Sequence, residues 1–407
     1  MVLKDRSAWT GTPRSATDTD QTASLSLAMI GTRGVPAAYG GFETAVEEIG
    51  RRLVERGHAV TVYTRGSAAR QREYLGMKRV HLPAAPAKQV ETLSHTGLSV
   101  LHAIGTHRPD AAFVFNAANS PFVPVLRARG IPVALHMDGI EWKRSKWGAR
   151  GQAYYRWAEE FGVRTADALI ADAPGISDYY DAEFGVPTEL IRYGAPVIDA
   201  PDATGVRGLG LSPGGYHVAV ARFEPENHVL EIVEGYHASE ATKPLVVVGA
   251  APYSAEYTRR IEAVAASDPR IRLLGAVYDQ DLLDALYAHA YTYIHGHSVG
   301  GTNPSLLRAM GAGTPVVAFD VNFNREVLAG QGWFFSSAAD LAPQFATVEA
   351  HPGLAAEFAE AGRRRVASVF TWSGVTDDYE RLARRLARGA SVHPLARHAR
   401  RSADGRG

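Results

Sequence analysis

The chain has 407 residues, which is two to three times the length of a typical compact domain and predicts two domains. Apolar residues make up 46% and charged residues 21%, which excludes a largely disordered chain. The 43 Lys and Arg residues balance 43 Asp and Glu residues, so no overall field draws the protein to nucleic acid and any anion site must be local. The absence of Cys excludes disulfides, thiolate nucleophiles and Cys-ligated metals.

Both ends of the chain are polar. Residues 1–24 lack the apolar core of a secretory signal, so we expect a disordered leader and a cytoplasmic protein. Apolar stretches such as 245–252 are far shorter than the roughly 20 residues that span a bilayer. A final helix is predicted over 371–388 and a basic disordered tail over 389–407. This tail is either a solvated terminus or a segment drawn to an anionic lipid surface, which would place the protein peripherally at the inner face of the membrane.

Short β-branched runs alternate with longer amphipathic stretches over 25–194, a βαβ pattern that predicts a doubly wound, Rossmann-like domain. The first helix is predicted over 41–56, because Ala45, Ile49 and Leu53 recur at four-residue spacing and Gly57 follows. Strands are predicted over 26–30, 59–64, 111–115, 132–136, 168–171 and 189–192.

The second half repeats this pattern after a segment, 195–214, whose Gly, Pro and Asp content is typical of an interdomain linker. A second Rossmann-like domain is predicted over 215–370. Its strands are predicted over 216–221, 245–249, 271–274, 291–295 and 315–319. Ligands bind at the carboxyl ends of such strands. We therefore expect an α/β fold in which two doubly wound domains face each other across a cleft.

A glycine-rich segment, 31–43, connects the first strand to its helix. Gly40 and Gly41 permit close backbone approach, and the helix that follows offers N–H groups to an anion. Arg33, Tyr39 and Glu43 add polar side chains. The segment is interpreted as a phosphate or sugar cradle, the alternative being a turn that only closes the loop. It lacks the glycine spacing of a dinucleotide-binding fingerprint.

A cluster of polar and aromatic side chains, 136–147, follows the strand predicted at 132–136. His136, Asp138 and Glu141 can hydrogen-bond hydroxyls or move a proton. Trp142 offers an apolar face on which a sugar ring could stack. The alternative is a satisfied core histidine beside a solvated surface.

Arg222 directly follows the strand predicted at 216–221, where its side chain would point into the ligand crevice. Its planar, permanently charged guanidinium suits a diphosphate. The alternative is a surface ion pair with Glu224 or Glu226.

A second glycine-rich loop lies within 295–310, between a predicted strand and a predicted helix. Thr302 or Asn303 is expected to cap the helix, with Pro304 at its first position. The N–H groups around Gly301 would then face a phosphate together with the positive end of the helix dipole. The alternative is a well-capped helix that binds no ligand.

The segments 31–43, 138–142 and 300–305 together resemble retaining glycosyltransferases of the GT-B fold in glycosyltransferase family 4, over about residues 24–388. The most similar branch is the bacterial rhamnosyltransferase-like one that begins with a DUF1972 segment. The resemblance implies transfer of a sugar from a nucleotide diphosphate donor, held by the C-terminal domain, to an acceptor held mainly by the N-terminal one. The acceptor would be a glycan or a polyprenyl-linked intermediate of cell-surface polysaccharide synthesis. No cofactor, metal or nucleic acid is expected.

The resemblance also assigns residues by position. Arg222 matches the arginine that holds the donor diphosphate. The donor loop, the segment beside the base and a recurring glutamate correspond to Gly300, Gly301, Thr302, Asn303, Ser305, Val277, Tyr278, Arg308 and Glu326. The acceptor side would comprise Arg33, Tyr39, Gly40, Gly41, Glu43, Glu141 and Trp142.

Two departures from the family pattern bear on the donor. The wider family has a lysine where Asn227 stands, and two glutamates where this chain has Gly300 and Arg308. An Arg cannot accept a hydrogen bond from a ribose hydroxyl. Three interpretations follow: Arg308 meets phosphate charge, the donor carries deoxyribose as dTDP-rhamnose does, or Arg308 merely faces solvent.

Catalysis in such a site would consist of positioning and stabilisation of the leaving group. Arg222, Asp138 and His136 are the candidate catalytic residues, with Asp138 and Glu141 orienting the acceptor. Two other functions stay open. One is a catalytically silent partner subunit that binds a sugar nucleotide or glycan, which the missing glutamates favour. The other is a GT-B epimerase that isomerises a nucleotide sugar without an acceptor.

Overall fold

The computed structural model describes residues 23–37, 40–66, 71–86, 90–106, 108–137, 139–143, 147–199, 201–251 and 254–392. Its contacts divide the chain into two compact units. The first unit takes the chain up to 142, residues 149–191 and the C-terminal part from Val375; the second takes 143–148 and 192–374. Most of the expected leader and tail, together with Tyr39 and Asp138, lies outside the described residues.

The first unit contains a mainly parallel sheet with the strand order β3-β4-β2-β1-β5-β6-β7-β8. Only the β3–β4 pair among its described strands is antiparallel. In register, Met29 of β1 lies between Val62 and Phe113 of its two neighbours. The strands are β1 (Ser26–Ile30), β2 (Ala59–Arg65), β3 (Glu73–Tyr74), β4 (Met77–Leu82), β5 (Ala111–Phe115), β6 (Val133–His136), β7 (Ala168–Ala171) and β8 (Glu189–Leu190).

Helices pack against this sheet. The first helix begins after Gly40 and buries Ala45, Ile49 and Leu53, the side chains whose spacing predicted it. It ends beside Gly57, which adopts a left-handed conformation with φ of 87°. The helices are α1 (Gly41–Glu55), α2 (Glu91–Thr106), α3 (Val123–Ala128), α4 (Ala149–Thr165) and α5 (Pro174–Phe184).

The second unit contains a parallel sheet with the strand order β11-β10-β9-β12-β13-β14. Its central strands are buried and apolar, as expected of a sheet covered on both faces. The strands are β9 (His217–Val220), β10 (Leu245–Val248), β11 (Ile271–Gly275), β12 (Thr292–His295), β13 (Val316–Phe319) and β14 (Trp333–Phe335). The predicted pair of doubly wound, parallel α/β domains is confirmed.

The helices after β8 include one that lies within the expected linker. Residues Thr204–Gly208 form a short helix whose Val206 is fully buried in the core of the second unit. The interpretation of 195–214 as a linker was therefore wrong, because a five-residue helix is too short to show periodicity. The helices are α6 (Thr204–Gly208), α7 (Val229–His237), α8 (Ala255–Ser267), α9 (Gln280–Ala288), α10 (Pro304–Gly311), α11 (Asn322–Leu328), α12 (Ala338–Ala350), α13 (Pro352–Val369) and α14 (Trp372–Ala387).

The final helix was predicted over 371–388 and lies close to those bounds. None of the helices in the described part of the chain has the length and apolar character needed to cross a bilayer. The basic residues from 393 onward lie outside the described residues.

A half-buried set of hydrogen bonds to the Glu349 carboxylate joins the amino-terminal edge of the second sheet to α12. The Glu349 carboxylate accepts hydrogen bonds from the backbone N–H groups of Thr242 and Lys243, each at 3.0 Å. The buried His217 ring lies 3.0 Å from the same carboxylate through Nε2. Burial lowers the pKa of His217, and these donors hold the pKa of Glu349 well below its usual range. A neutral imidazole therefore donates to a carboxylate.

Candidate functional site

The order of the second sheet predicts where a ligand binds. The chain leaves β9 toward β10 on one side and leaves β12 toward β13 on the other, so the strand order reverses between β9 and β12. Ligands of open α/β sheets bind outside the carboxyl ends of strands at such a switch point. Arg222 and the glycine-rich loop before α10 follow these two strands.

Arg222 lies at this switch point with half of its side chain exposed. One guanidinium nitrogen is 3.5 Å from the buried Glu224 carboxylate, the ion pair that the sequence offered as an alternative. The Asn227 side-chain amide donates to the Arg222 carbonyl at 2.8 Å. Asn227 therefore braces the Arg222 loop, and the exposed part of the guanidinium can still meet an anion.

The loops after β9 and β12 are joined to each other. The Ser298 backbone N–H and hydroxyl both donate to the Glu226 carbonyl, at 2.9 and 3.1 Å. A Cβ added at Gly296 would lie 2.2 Å from the Asn227 oxygen, so only glycine permits this approach. The two loops therefore form one preorganised surface.

The start of α10 confirms the predicted cap. The Asn303 side chain accepts from the Ser305 N–H at 3.0 Å, and Pro304 occupies the first helical position. Gly300, at φ of 123°, adopts a conformation that other residues rarely reach. Gly301 and the buried Thr302 complete the loop. The helix N-terminus thus points its dipole toward the switch point.

The Ser305 hydroxyl is engaged inside the unit. It lies 2.8 Å from the Tyr293 hydroxyl, which in turn lies 3.1 Å from Nδ1 of His295. Burial lowers the pKa of His295 to about 3, so this ring is neutral. Ser305 therefore stiffens the helix start through its side chain.

Arg308 forms a two-pronged ion pair with Asp284, a residue of α9. The Nε and Nη2 atoms both donate to the carboxylate, the latter at 2.8 Å, and the Arg308 side chain is 22% exposed. The interpretation that Arg308 merely faces solvent was wrong, because the sequence does not show that α9 brings a carboxylate to α10. The phosphate-contact and deoxyribose interpretations stay predictions.

Three other residues that were predicted to contact the donor also lie in the second unit. Tyr278 follows β11 with 80% of its surface exposed, beside the half-buried Val277. Glu326 is half-buried on α11, and its carbonyl accepts from Arg365 at 3.0 Å. An exposed aromatic ring at the carboxyl edge of the sheet is suited to stack on a nucleotide base.

In the first unit, glutamates of α1 hold the glycine-rich loop. Glu43 accepts the Arg33 backbone N–H at 2.9 Å, and Glu47 accepts that of Ala37 at 2.6 Å. The Arg33 guanidinium lies 3.7 Å from Glu91. Gly40 precedes α1 and Gly41 begins it, as predicted. The Glu43 carboxylate therefore positions the loop.

His136 ends β6 within an aromatic cluster. Its ring centroid is 4.9 Å from that of Phe42 and 5.7 Å from that of Phe115. Burial lowers its pKa to about 3, so the ring stays neutral near pH 7 and cannot serve as a charged acid. The next candidate, Asp138, lies outside the described residues.

Trp142 is held by a carboxylate that the sequence analysis missed. Its indole N–H donates to the buried Glu159 at 3.1 Å, and the Tyr180 hydroxyl donates to the same group at 2.6 Å. Arg156 lies over the indole ring at 5.1 Å. Glu141, beside Trp142, is buried. No pattern marks Glu159, because its partners are distant in the chain.

Among the residues that the structure describes, no three His, Asp or Glu side chains are grouped so as to hold a metal ion. Anion-binding groups instead characterise the donor-side loops.

Two family profiles match the chain in succession. The one described as "Glycosyl transferase 4-like domain" matches residues 40–194, and "Glycosyl transferases group 1" matches 216–349. A curated relative, alpha-maltose-1-phosphate synthase from Mycolicibacterium smegmatis (strain ATCC 700084 / mc(2)155), is 25% identical over 291 residues, which is 63% of this chain and 74% of that protein.

Solved structures share the fold. Sucrose-phosphate synthase from Thermosynechococcus elongatus superposes with a TM-score of 0.77 at 21% identity, covering 89% of this chain and 99% of that one. Anabaena HepE, solved in complex with UDP, gives 0.71 at 15% identity over 88% and 99% of the two chains. With a glycosyl transferase 4-like domain followed by a group 1 domain, the chain is a glycosyltransferase of the GT-B fold.

Proposed function

We propose that this glycosyltransferase moves a sugar from a nucleotide diphosphate donor to a glycan or polyprenyl-linked acceptor, with retention of the anomeric configuration. The observation that carries the proposal is the half-exposed Arg222 guanidinium at the switch point of the second sheet, beside the start of α10. A fixed cation and a helix N-terminus together suit a diphosphate. The solved complex of Anabaena HepE with UDP-glucose supports a donor of this class.

Each donor group has a proposed contact in the second unit. Arg222 and the N–H groups around Gly301 and Thr302 bind the diphosphate. Tyr278 stacks on the base, because 80% of its surface is exposed. Glu326 lies beyond the donor loop and contacts the sugar. The acceptor belongs to the first unit, with the glycine-rich loop, Trp142 and the segment around Asp138 as its proposed contacts.

The proposed step breaks the bond between the anomeric carbon and the β-phosphate oxygen and forms one from that carbon to an acceptor hydroxyl oxygen, on the same face. The acceptor proton passes to the departing phosphate oxygen, so no side chain has to act as base. Arg222 stabilises the charge that develops on the leaving group. The neutral His136 can only orient groups through hydrogen bonds.

The proposed donor is a dTDP sugar, with dTDP-rhamnose as the first candidate. Arg308 stands where a carboxylate would accept ribose hydroxyl hydrogen bonds, and its guanidinium has no acceptor atom. A deoxyribose needs no partner for a 2′-hydroxyl. This choice of donor rests on the identity of residue 308 alone.

The test is thermal stabilisation by dTDP, UDP and GDP, followed by product analysis with the nucleotide sugar that binds. A ligand at a hundred times its dissociation constant adds about 2.7 kcal/mol to folding stability. We expect dTDP to stabilise most and Arg222→Ala to lower turnover about 100-fold. Arg259→Ala, which removes an exposed arginine of α8, is the control and should leave turnover unchanged.

Each other outcome contradicts part of the proposal. Stabilisation by UDP or GDP alone would keep the transferase and overturn the dTDP donor. Binding without turnover would favour the silent binder, and an isomerised donor the epimerase. No stabilisation by any of the three nucleotides would overturn the donor site.

A further inference from the structure

His228 has an unusual backbone for its residue type. It joins the 3₁₀ turn Pro225–Asn227 to α7 with φ of 48°, in the left-handed region. Residues other than glycine are uncommon there, and such positions cluster at functional sites. Among the described non-glycine residues with positive φ, His228 is the one at the switch point, directly after the Arg222 loop.

The imidazole is fixed on two sides. Its ring stacks on Phe319, the last residue of β13, with centroids 3.9 Å apart and planes 20° apart. Its Nδ1 lies 2.8 Å from the carbonyl oxygen of Gly296, the residue that follows β12. A carbonyl oxygen only accepts, so Nδ1 carries a proton. Nε2 is therefore the ring nitrogen that remains for a ligand.

This geometry places the ring where the loops after β9, β12 and β13 meet. The ring has neither the length nor the freedom of a lysine, and its orientation is set before any ligand arrives. Protonation of Nε2 would add one positive charge and one hydrogen-bond donor to the loop that carries Arg222. A positively charged hydrogen-bond donor that is already in position stabilises the negative charge that develops on the departing diphosphate.

We propose that His228 binds the diphosphate of the donor through Nε2, as an imidazolium, and is a second cation of the donor site. The inference rests on the proposed function, because it takes a nucleotide sugar as the ligand. Binding of an anion favours the protonated ring, so affinity and proton uptake are linked. Donor affinity should therefore weaken as the pH rises through the neutral range.

The elements packed against His228 carry their own charges. The Arg222 guanidinium faces Glu224, and Arg325 is paired with Asp320, so these four largely offset one another. The Glu231 carboxylate on α7 accepts from the Tyr257 hydroxyl at 3.4 Å. The other ionisable groups of the three loops and of α7 and α11 are Arg222, Glu224, Glu226, Glu231, Glu234, Tyr236, His237, His297, Asp320, Arg325 and Glu326.

The test is the dissociation constant of UDP-glucose and dTDP-glucose between pH 5.5 and 8.5, measured by calorimetry with the full chain. A doubly esterified diphosphate has no proton that titrates in this range, so a pH dependence reports on the protein. An opposite charge within about 4–6 Å shifts a pKa by 1 to 3 units, so we expect affinity at least tenfold weaker at the upper pH. His228→Asn should remove this dependence, and Asn tolerates the left-handed backbone.

His237→Gln is the matched control. His237 lies at the far end of the same helix, against Asp268, and its replacement should leave the pH dependence intact. A pH-independent dissociation constant in the wild-type protein, or a dependence that survives His228→Asn, would overturn the inference and leave the proposed function standing. Failure of both nucleotide sugars to bind at any pH would overturn the donor site itself.

Discussion

Replacing Asp284 by Asn tests whether Arg308 is a structural residue of the second unit. The substitution keeps the shape of the side chain and removes its charge. The Arg308 guanidinium then keeps one hydrogen-bond acceptor and loses its ionic partner. With side chains 22% and 18% exposed, the pair lies between the exposed and the fully buried case.

The expected loss in the free energy of unfolding follows from this partial burial of the ion pair. Exposed ion pairs contribute about 0.2–1 kcal/mol, whereas removal of one partner of a buried pair costs about 3–5 kcal/mol. We expect Asp284→Asn to lower the free energy of unfolding by about 2 kcal/mol. For a unit of roughly 150–250 residues, 1 kcal/mol shifts the melting temperature by about 2–4 °C, so the expected decrease is about 4–8 °C.

A double-mutant cycle with Arg308→Gln isolates the pair. Melting temperatures of the wild type, both single variants and the double variant are compared by calorimetry at pH 7. We expect the double variant to lose less than the sum of the single variants, by at least about 1 kcal/mol. Losses that add within about 0.5 kcal/mol would refute the pairing.

Three further predictions concern other sites. Gly296→Ala should weaken nucleotide-sugar binding at least about tenfold, measured by calorimetry, because the new Cβ would separate the two donor loops. Glu349→Gln should lower the free energy of unfolding by about 2 kcal/mol at pH 7, measured by thermal unfolding, because hydrogen bonds to a charged group are lost. Glu159→Gln should cost about 1–3 kcal/mol, because a buried amide N–H₂ would face a donor.

Each of these predictions has its own check. Gly353→Ala, where nothing lies near the new Cβ, should leave binding unchanged. Because the pKa of Glu349 is depressed, its stabilisation is present above the ordinary value of 4.5 and fades as the pH falls below it. The Glu349→Gln deficit should therefore shrink at pH 3.5, and a constant deficit would contradict the ionic origin. Glu160→Gln, on the exposed face beside Glu159, should cost less than about 0.5 kcal/mol.

Local pattern was sufficient to predict the buried strands of the first sheet. Ala111–Phe115 and Ala168–Ala171 are continuous apolar runs buried on both faces, and their predicted bounds agree with the structure. The cap at Asn303 was predictable too, because capping depends on residues within one turn. By contrast, Met77–Leu82 was missed as a strand because Lys78, Arg79 and His81 interrupt its apolar character.

Contacts between elements distant in the chain could not be predicted. Glu159 and Asp284 reach their partners only once helices have packed on their sheets. The role of Glu43 was also underdetermined, since a carboxylate early in a helix can bind a ligand or its own preceding loop. Here it accepts the Arg33 N–H. The sequence alone does not show whether the Glu43 carboxylate contacts a ligand or the backbone of its own loop.

The two departures from the family pattern have a common physical explanation. The Asn227 side-chain amide donates a hydrogen bond to the Arg222 carbonyl, and Arg308 forms an ion pair with Asp284. Both side chains hold parts of the donor-side framework, so neither is evidence that the site has been lost. Arg222 keeps an exposed guanidinium at the switch point, and by our inference His228 adds the second positive charge. The donor site would then bind its diphosphate with two cationic side chains, Arg222 and His228.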